Sequence, residues 1–228
     1  MTEQPQDRPP PFALLVRETL LFPVNRTRAA FARVVKLNVA GNGRTVVVIP
    51  GFMASDRTTA RLRKSLQCAG FLCHGWGLGR NLGVASDIFA RMDDRLSEIP
   101  VDAPVTLVGW SLGGVIAREY AKYAPHRIAK VITLGSPFSG SPRANNGWRV
   151  YERVAGHKVD SPLLDVTLCN KPPMPTFSIW STRDGMVAPR AACGLPHESD
   201  VQIEADCTHM GLIADPGLIR RIAQIITE

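Results

Sequence analysis

Apolar residues along this chain follow two rhythms that take turns. Short runs rich in β-branched residues, of which Thr45-Val46-Val47-Val48-Ile49 and Ile128–Leu134 are the clearest, show no polar alternation. Strands buried on both faces read this way. Between the runs, apolar residues recur at helical spacing. The pattern predicts strands at Thr45–Ile49, Phe71–Trp76, Val105–Val108, Ile128–Leu134, Thr176–Trp180 and Val201–Glu204. It predicts helices at about Asp56–Ala69, Ser86–Ile99 (with Ser86 as N-cap), Leu112–Ala124, Asn145–Ala155 and Pro216–Ile226. Strands alternating with helices imply right-handed crossovers and a mostly parallel sheet between two helical layers.

Before Thr45 the pattern differs. Residues 1–11 are polar and proline-rich and read as a disordered arm. From Phe12 to Val35, helical spacing broken at Pro23 predicts two short helices packed on the body, and Val34–Val39 an edge strand. The expected organisation is an N-terminal region over 1–44 and one α/β domain over 45–228, with a small, weakly patterned insert at about 138–175.

Composition narrows the class. The 228 residues are 45% hydrophobic and 21% charged, an ordinary globular balance that suits one sizeable core. No apolar run reaches the roughly 20 residues of a membrane span. The best signal-peptide candidate, Phe12–Phe22, is short and carries Arg17 and Glu18, so a soluble cytoplasmic protein is expected. The five cysteines lack metal or redox spacing, and their odd number suits reduced thiols. Cys193 and Cys207 could still bridge two loops. The net charge of +7 is concentrated between Asn25 and Lys64, where only Asp56 opposes nine cations. A solvated face is the plain explanation, and weak contact with an anionic membrane surface through this basic N-terminal region is the alternative. No nucleic-acid motif accompanies the charge, so no nucleic-acid partner is expected.

The chemistry centres on Gly109-Trp110-Ser111-Leu112-Gly113-Gly114, which joins a predicted strand to a predicted helix. A serine at the apex of so sharp a turn is held in a sparsely allowed conformation, and glycines are needed where strand and helix nearly touch. The plain alternative is a glycine-rich turn whose serine merely caps the helix. A nucleophilic serine needs a base, an orienting acid and donors for the oxyanion. In parallel sheets these belong at the C-terminal ends of strands. Asp184 follows strand Thr176–Trp180, and His209 follows Val201–Glu204. Asp206 lies too close to His209 in sequence to reach round the imidazole. Asp160 and Asp165 read as caps or surface charges, His74 as a loop partner, and His157 and His197 as surface residues. No histidine pair has metal-ligand spacing, so no metal is expected.

The elbow, the Asp184-Gly185-Met186-Val187 segment and the late histidine together resemble the α/β-hydrolase superfamily of serine esterases and lipases. Thr133-Leu134-Gly135-Ser136-Pro137 is similar to a segment of its bacterial lipase-like members. The resemblance implies the three-layer α/β-hydrolase fold and cofactor-free cleavage of small-molecule acyl esters through an acyl-enzyme. A thioesterase or acyltransferase using the same residues is the alternative, with a non-enzymatic binding protein a distant third. It also implies Ser111 as nucleophile, His209 as base, Asp184 as orienting acid, and the backbone N–H groups of Phe52 and Leu112 as oxyanion donors. Pro50-Gly51 stands where many members carry His-Gly, which puts the anchoring of that loop in question. Met53, Trp76, Trp110 and Trp148 are the candidates for a modest apolar pocket. Gly75–Gly83, with four glycines in nine residues, is either a loop that moves over the cleft or a tight turn.

Overall fold

The computed structural model describes residues 8–20, 34–100, 103–161, 163 and 167–228. Residues 12–20 form a helix, α1. Then follow β1 (Thr45–Ile49), α2 (Ala60–Cys68), β2 (Leu72–Gly75), α3 (Ile88–Ser97), β3 (Val105–Trp110) and α4 (Leu112–Tyr123). A 3-10 turn, Pro125–Arg127, leads into β4 (Ile128–Leu134). The chain closes with α5 (Trp148–Ala155), β5 (Thr176–Trp180), α6 (Pro189–Cys193), β6 (Val201–Glu204), α7 (Gly211–Ala214) and α8 (Pro216–Thr227). The six strands form one sheet in the order β2-β1-β3-β4-β5-β6, and every pairing is parallel.

The unbroken apolar runs have a direct explanation. In β1, Val46 and Val48 pack with α2 and α8 on one face, while Val47 and Ile49 pack with α3 and α4 on the other. A strand covered on both sides has no solvent-facing side for polar residues to mark in alternation. Each such side chain contributes about 2 kcal/mol by leaving water. Leu62, Leu66, Ile219 and Ile222 line the first face, and Met92, Ile116, Ala117 and Tyr120 the second. The sheet thus sits between two helical layers as the pattern predicted, and its central strands end where the candidate chemistry begins.

Several local expectations are corrected. Val34–Val39 is not a strand. The helix expected from Asp56 begins at Ala60, because the Asp56 carboxylate instead accepts the backbone N–H groups of Trp76 and Gly77, each at 3.1 Å. That contact fixes the start of the glycine-rich stretch, at Trp76 and Gly77. A Cβ on Gly75 would lie 2.4 Å from Asp56 Cγ, so glycine lets the carboxylate in. The N-cap of α3 is Asp87, not Ser86. Pro10, placed in the arm by its sequence, is buried. The rest of the arm up to residue 7, the helix expected after Pro23, the cations Arg26, Arg28 and Arg33, and Asp165 lie outside the described residues. All five cysteines are free, so Cys193 and Cys207 form no bridge. No helix among the described residues is long and apolar enough to cross a membrane.

Candidate active site

At the C-terminal end of β3 the chain turns sharply into α4, with Ser111 at the apex. Its φ of 54° and ψ of −125° are conformations an L-residue rarely adopts. The turn is held by the Ser111 N–H, which donates to the Leu134 carbonyl at 2.8 Å. Glycine is required on both sides: a Cβ on Gly109 would lie 2.3 Å from Gly114 Cα, and one on Gly113 would lie 2.3 Å from the Ile49 carbonyl oxygen. Among the described residues Ser111 makes no side-chain cap bond to α4, unlike a serine placed there to cap.

Asp184 and His209 meet beyond β5 and β6. His209 Nδ1 and Asp184 Oδ2 are 2.7 Å apart, and both side chains are buried. The other carboxylate oxygen accepts the N–H groups of Met186 at 2.7 Å and Val187 at 2.9 Å, so both oxygens of Asp184 are engaged. With Nδ1 donating to the carboxylate, Nε2 is the basic nitrogen. Burial alone would lower the His209 pKa. The charge of Asp184, its hydrogen bond and the charge of Glu18 outweigh that and hold it above the ordinary value of 6.5.

Residues outside the pair hold it in place. The Ser181 hydroxyl donates to the Cys207 carbonyl at 2.6 Å and accepts from the Arg183 N–H at 3.0 Å, joining the acid loop to the base loop. Gly135, with φ +56°, passes beneath them. A Cβ there would lie 2.9 Å from Asp184 Oδ2 and 2.5 Å from Leu212 Cδ1. Asp206 stays out of the site, exposed and paired with Arg183 at 2.7 Å.

Ser111, His209, Phe52 and Leu112 border one cavity of about 500 Å³. The loop carrying Phe52 runs close beside the elbow, so that a Cβ on Gly51 would lie 3.0 Å from Ser111 Cβ. Its anchor is Asn81, fully buried, whose side-chain amide donates to the Pro50 carbonyl at 2.8 Å. The main-chain carbonyl of Asn81 accepts the Met53 N–H at 2.6 Å, and its main-chain N–H donates to the Ala54 carbonyl at 2.8 Å. Asn81 thus supplies the loop anchoring that Pro50-Gly51 left in question. A single polar residue in a glycine-rich stretch carried no signal of that role.

The cavity wall is largely apolar. One face of α4 lines it from Leu112 through Val115 and Ile116 to Glu119. Phe52, Trp110, Trp148, Tyr151 and Met186 add to it, with the Phe52 and Tyr151 rings 5.3 Å apart. Two of the pocket candidates are corrected. Trp76 is buried in the core beneath α3, its indole N–H donating to Gly79 at 2.9 Å. Met53 is 46% exposed and lies outside the cavity lining. His157, expected at the surface, lines the cavity instead, with Nε2 3.2 Å from the Tyr151 hydroxyl. Two further lining residues, Glu18 and Thr19, come from α1. No motif marked them, because their place depends on how the N-terminal helix docks.

Comparison with known proteins agrees with this architecture. The α/β hydrolase fold family matches residues 49–152. The pimeloyl-[acyl-carrier protein] methyl ester esterase of Aliivibrio fischeri (strain ATCC 700601 / ES114) is 31% identical over 117 residues, which is 48% of this chain and 42% of that protein. The protein of the same name from Aliivibrio salmonicida (strain LFI1238) is 38% identical over 79 residues, 33% of this chain and 27% of that one. The chain therefore aligns with less than half the length of these relatives. Among solved structures, one described with the metagenome-derived lipolytic enzymes LipS and LipT gives a TM-score of 0.60 at 16% identity, over 86% of this chain and 99% of the other. A metagenomic carboxyl esterase gives 0.59 at 17% identity, over 86% and 79%. At such identities the two structures speak for the fold alone. With a parallel sheet between two helical layers, a strained serine elbow after its third strand and the family match across that elbow, this chain has the α/β-hydrolase fold.

Proposed function

We propose that the chain is a serine ester hydrolase that cleaves carboxylic esters through an acyl-enzyme. The observation that carries this reading is the 2.7 Å contact between Asp184 and His209 at the rim of the cavity that Ser111 also borders. In the proposed reaction the Ser111 oxygen attacks the ester carbonyl carbon as its proton passes to His209 Nε2. Asp184 steadies the imidazolium. The N–H groups of Phe52 and Leu112 receive the developing oxyanion, each lowering the barrier by about 3 kcal/mol. Collapse breaks the bond to the alcohol oxygen, which takes the proton from His209. Water then repeats the sequence on the acyl-enzyme and releases the acid.

The face of α4 from Leu112 to Glu119 runs roughly 10 Å along the helix. Its apolar surface supports an acyl chain of medium length as the group retained on Ser111. The curated relatives are named for a methyl ester of a carrier-bound acyl chain, and a small alcohol as leaving group is the substrate class we carry over from them. A cytoplasmic location belongs to the same reading and is supported by the five free cysteines. Transfer of the acyl group to an acceptor other than water would use the same residues, and product analysis with a competing alcohol separates the two.

The test is hydrolysis of p-nitrophenyl esters of increasing acyl length, with covalent labelling by a fluorophosphonate. Ser111→Ala should lose both turnover and labelling. Labelling that survives in the Ser111→Ala protein would remove the nucleophile from this account.

A further inference from the structure

Helix α1 brings a second carboxyl group up behind the Asp184–His209 pair. Glu18 is 6% exposed, and its Oε1 accepts two main-chain hydrogen bonds, one from the N–H of His209 and one from that of Gly185 at 3.4 Å. These amides belong to different loops, one carrying His209 after β6 and the other next to Asp184 after β5. An oxygen with more than one lone pair, delivered by an element outside both loops, can bridge them.

The fit of α1 against the acid loop is close. A Cβ on Gly185 would lie 2.4 Å from the Leu14 carbonyl oxygen and 2.7 Å from Glu18 Cγ, so glycine is what admits the helix. Asn146 fastens the start of the segment, its side-chain amide donating to Pro10 at 3.2 Å and to Gly185 at 2.8 Å.

A carboxyl group taken out of water is costly unless its oxygens are used, and the proposed hydrolysis assigns Glu18 no step. The titratable groups facing it are His209, Asp184 and the Cys207 thiol. Burial raises the Glu18 pKa, while the His209 amide and the imidazolium charge oppose the rise. In return, the Glu18 charge favours the protonated imidazole. That cation is the species a base must form during attack.

We propose that Glu18 is a positioning residue that ties the acid loop to the base loop through their amides and adds its charge to the support of the imidazolium. Its kinetic consequences rest on the hydrolase reading above; its effect on His209 does not.

The experiment is an NMR titration of the His209 imidazole, assigned by its loss in His209→Ala, in wild type and Glu18→Gln, with ester kinetics in parallel. Glutamine is nearly the same shape and keeps an accepting oxygen, so the fold and much of kcat should survive. The imidazole midpoint should move to lower pH, because a negative charge beside it has gone. Glu18→Ala also loses the acceptor and should lower kcat about tenfold or more while KM stays close to wild type. A Glu18→Gln protein whose His209 titrates as in wild type overturns the proposal. A shifted midpoint in a protein whose wild type hydrolyses no ester leaves the proposal standing and removes the hydrolase reading instead.

Discussion

The indole N–H of Trp110 donates to the main-chain carbonyl of His209 at 3.1 Å, with the two rings 5.1 Å apart. Trp110 is the residue just before the candidate nucleophile, and His209 is the candidate base 99 positions further on. One side chain therefore fixes the base loop relative to the elbow. Trp110→Phe keeps most of the ring and loses the donor, leaving a buried carbonyl short of a partner. The expected outcome is a loss of about 1–2 kcal/mol in urea unfolding. Ester kinetics should show a several-fold fall in kcat with KM little changed.

Gly135 gives a sharper effect. Its positive φ and the 2.9 Å approach of a Cβ to Asp184 Oδ2 leave no room for a side chain. Gly135→Ala should push the carboxylate off the imidazole. A displacement of about 1 Å at such a pair costs roughly two powers of ten in rate. Single-turnover acylation by a p-nitrophenyl ester measures it directly.

The anchoring of the proposed oxyanion loop can be tested through Asn81. Asn81→Ala takes the side-chain donor from the Pro50 carbonyl, while the main-chain bonds of residue 81 to Met53 and Ala54 remain. The Phe52 amide should then lose its fixed position, and kcat should fall while KM stays close to wild type, as for an interaction made only in the transition state. An equal rise in KM with unchanged kcat would assign Asn81 to substrate binding instead.

The raised pKa of His209 has consequences of opposite sign for activity and stability. A base must be neutral, so kcat/KM should rise with pH through a midpoint above 6.5. For stability, the folded state holds this proton more tightly than the unfolded chain does. The contribution is therefore fully present below pH 6.5 and is lost as pH rises through the folded value. A pH series of kcat/KM beside one of urea midpoints, in wild type and His209→Asn, separates the two.

Strand and helix positions in the central sheet were legible because burial on both faces leaves a local mark, a run without polar alternation, and four of the six strands begin where the pattern starts them and end where it stops. The elbow was equally legible, since the close approach of β3 to α4 dictates glycine at 109 and 113. Asp184 and His209 could be nominated as the residues that follow strands. Their contact could not be read from the chain, because 24 residues separate them and only β5 and β6 lying side by side brings them together.

Other features had no local signature at all. Trp76 and Met53 look as suited to a pocket as Trp148, yet the path of the turn after β2 sends Trp76 into the core and leaves Met53 exposed. Asn81, Ser181 and Glu18 are ordinary polar residues in sequence. What each one does depends on which amide or carbonyl from a distant segment is brought within about 3 Å of it. Periodicity and turn chemistry are local and so determined the sheet, its helical layers and the serine turn. Side-chain partnership is a property of segments packed together, and the tertiary structure alone decided which residues hold the site in shape.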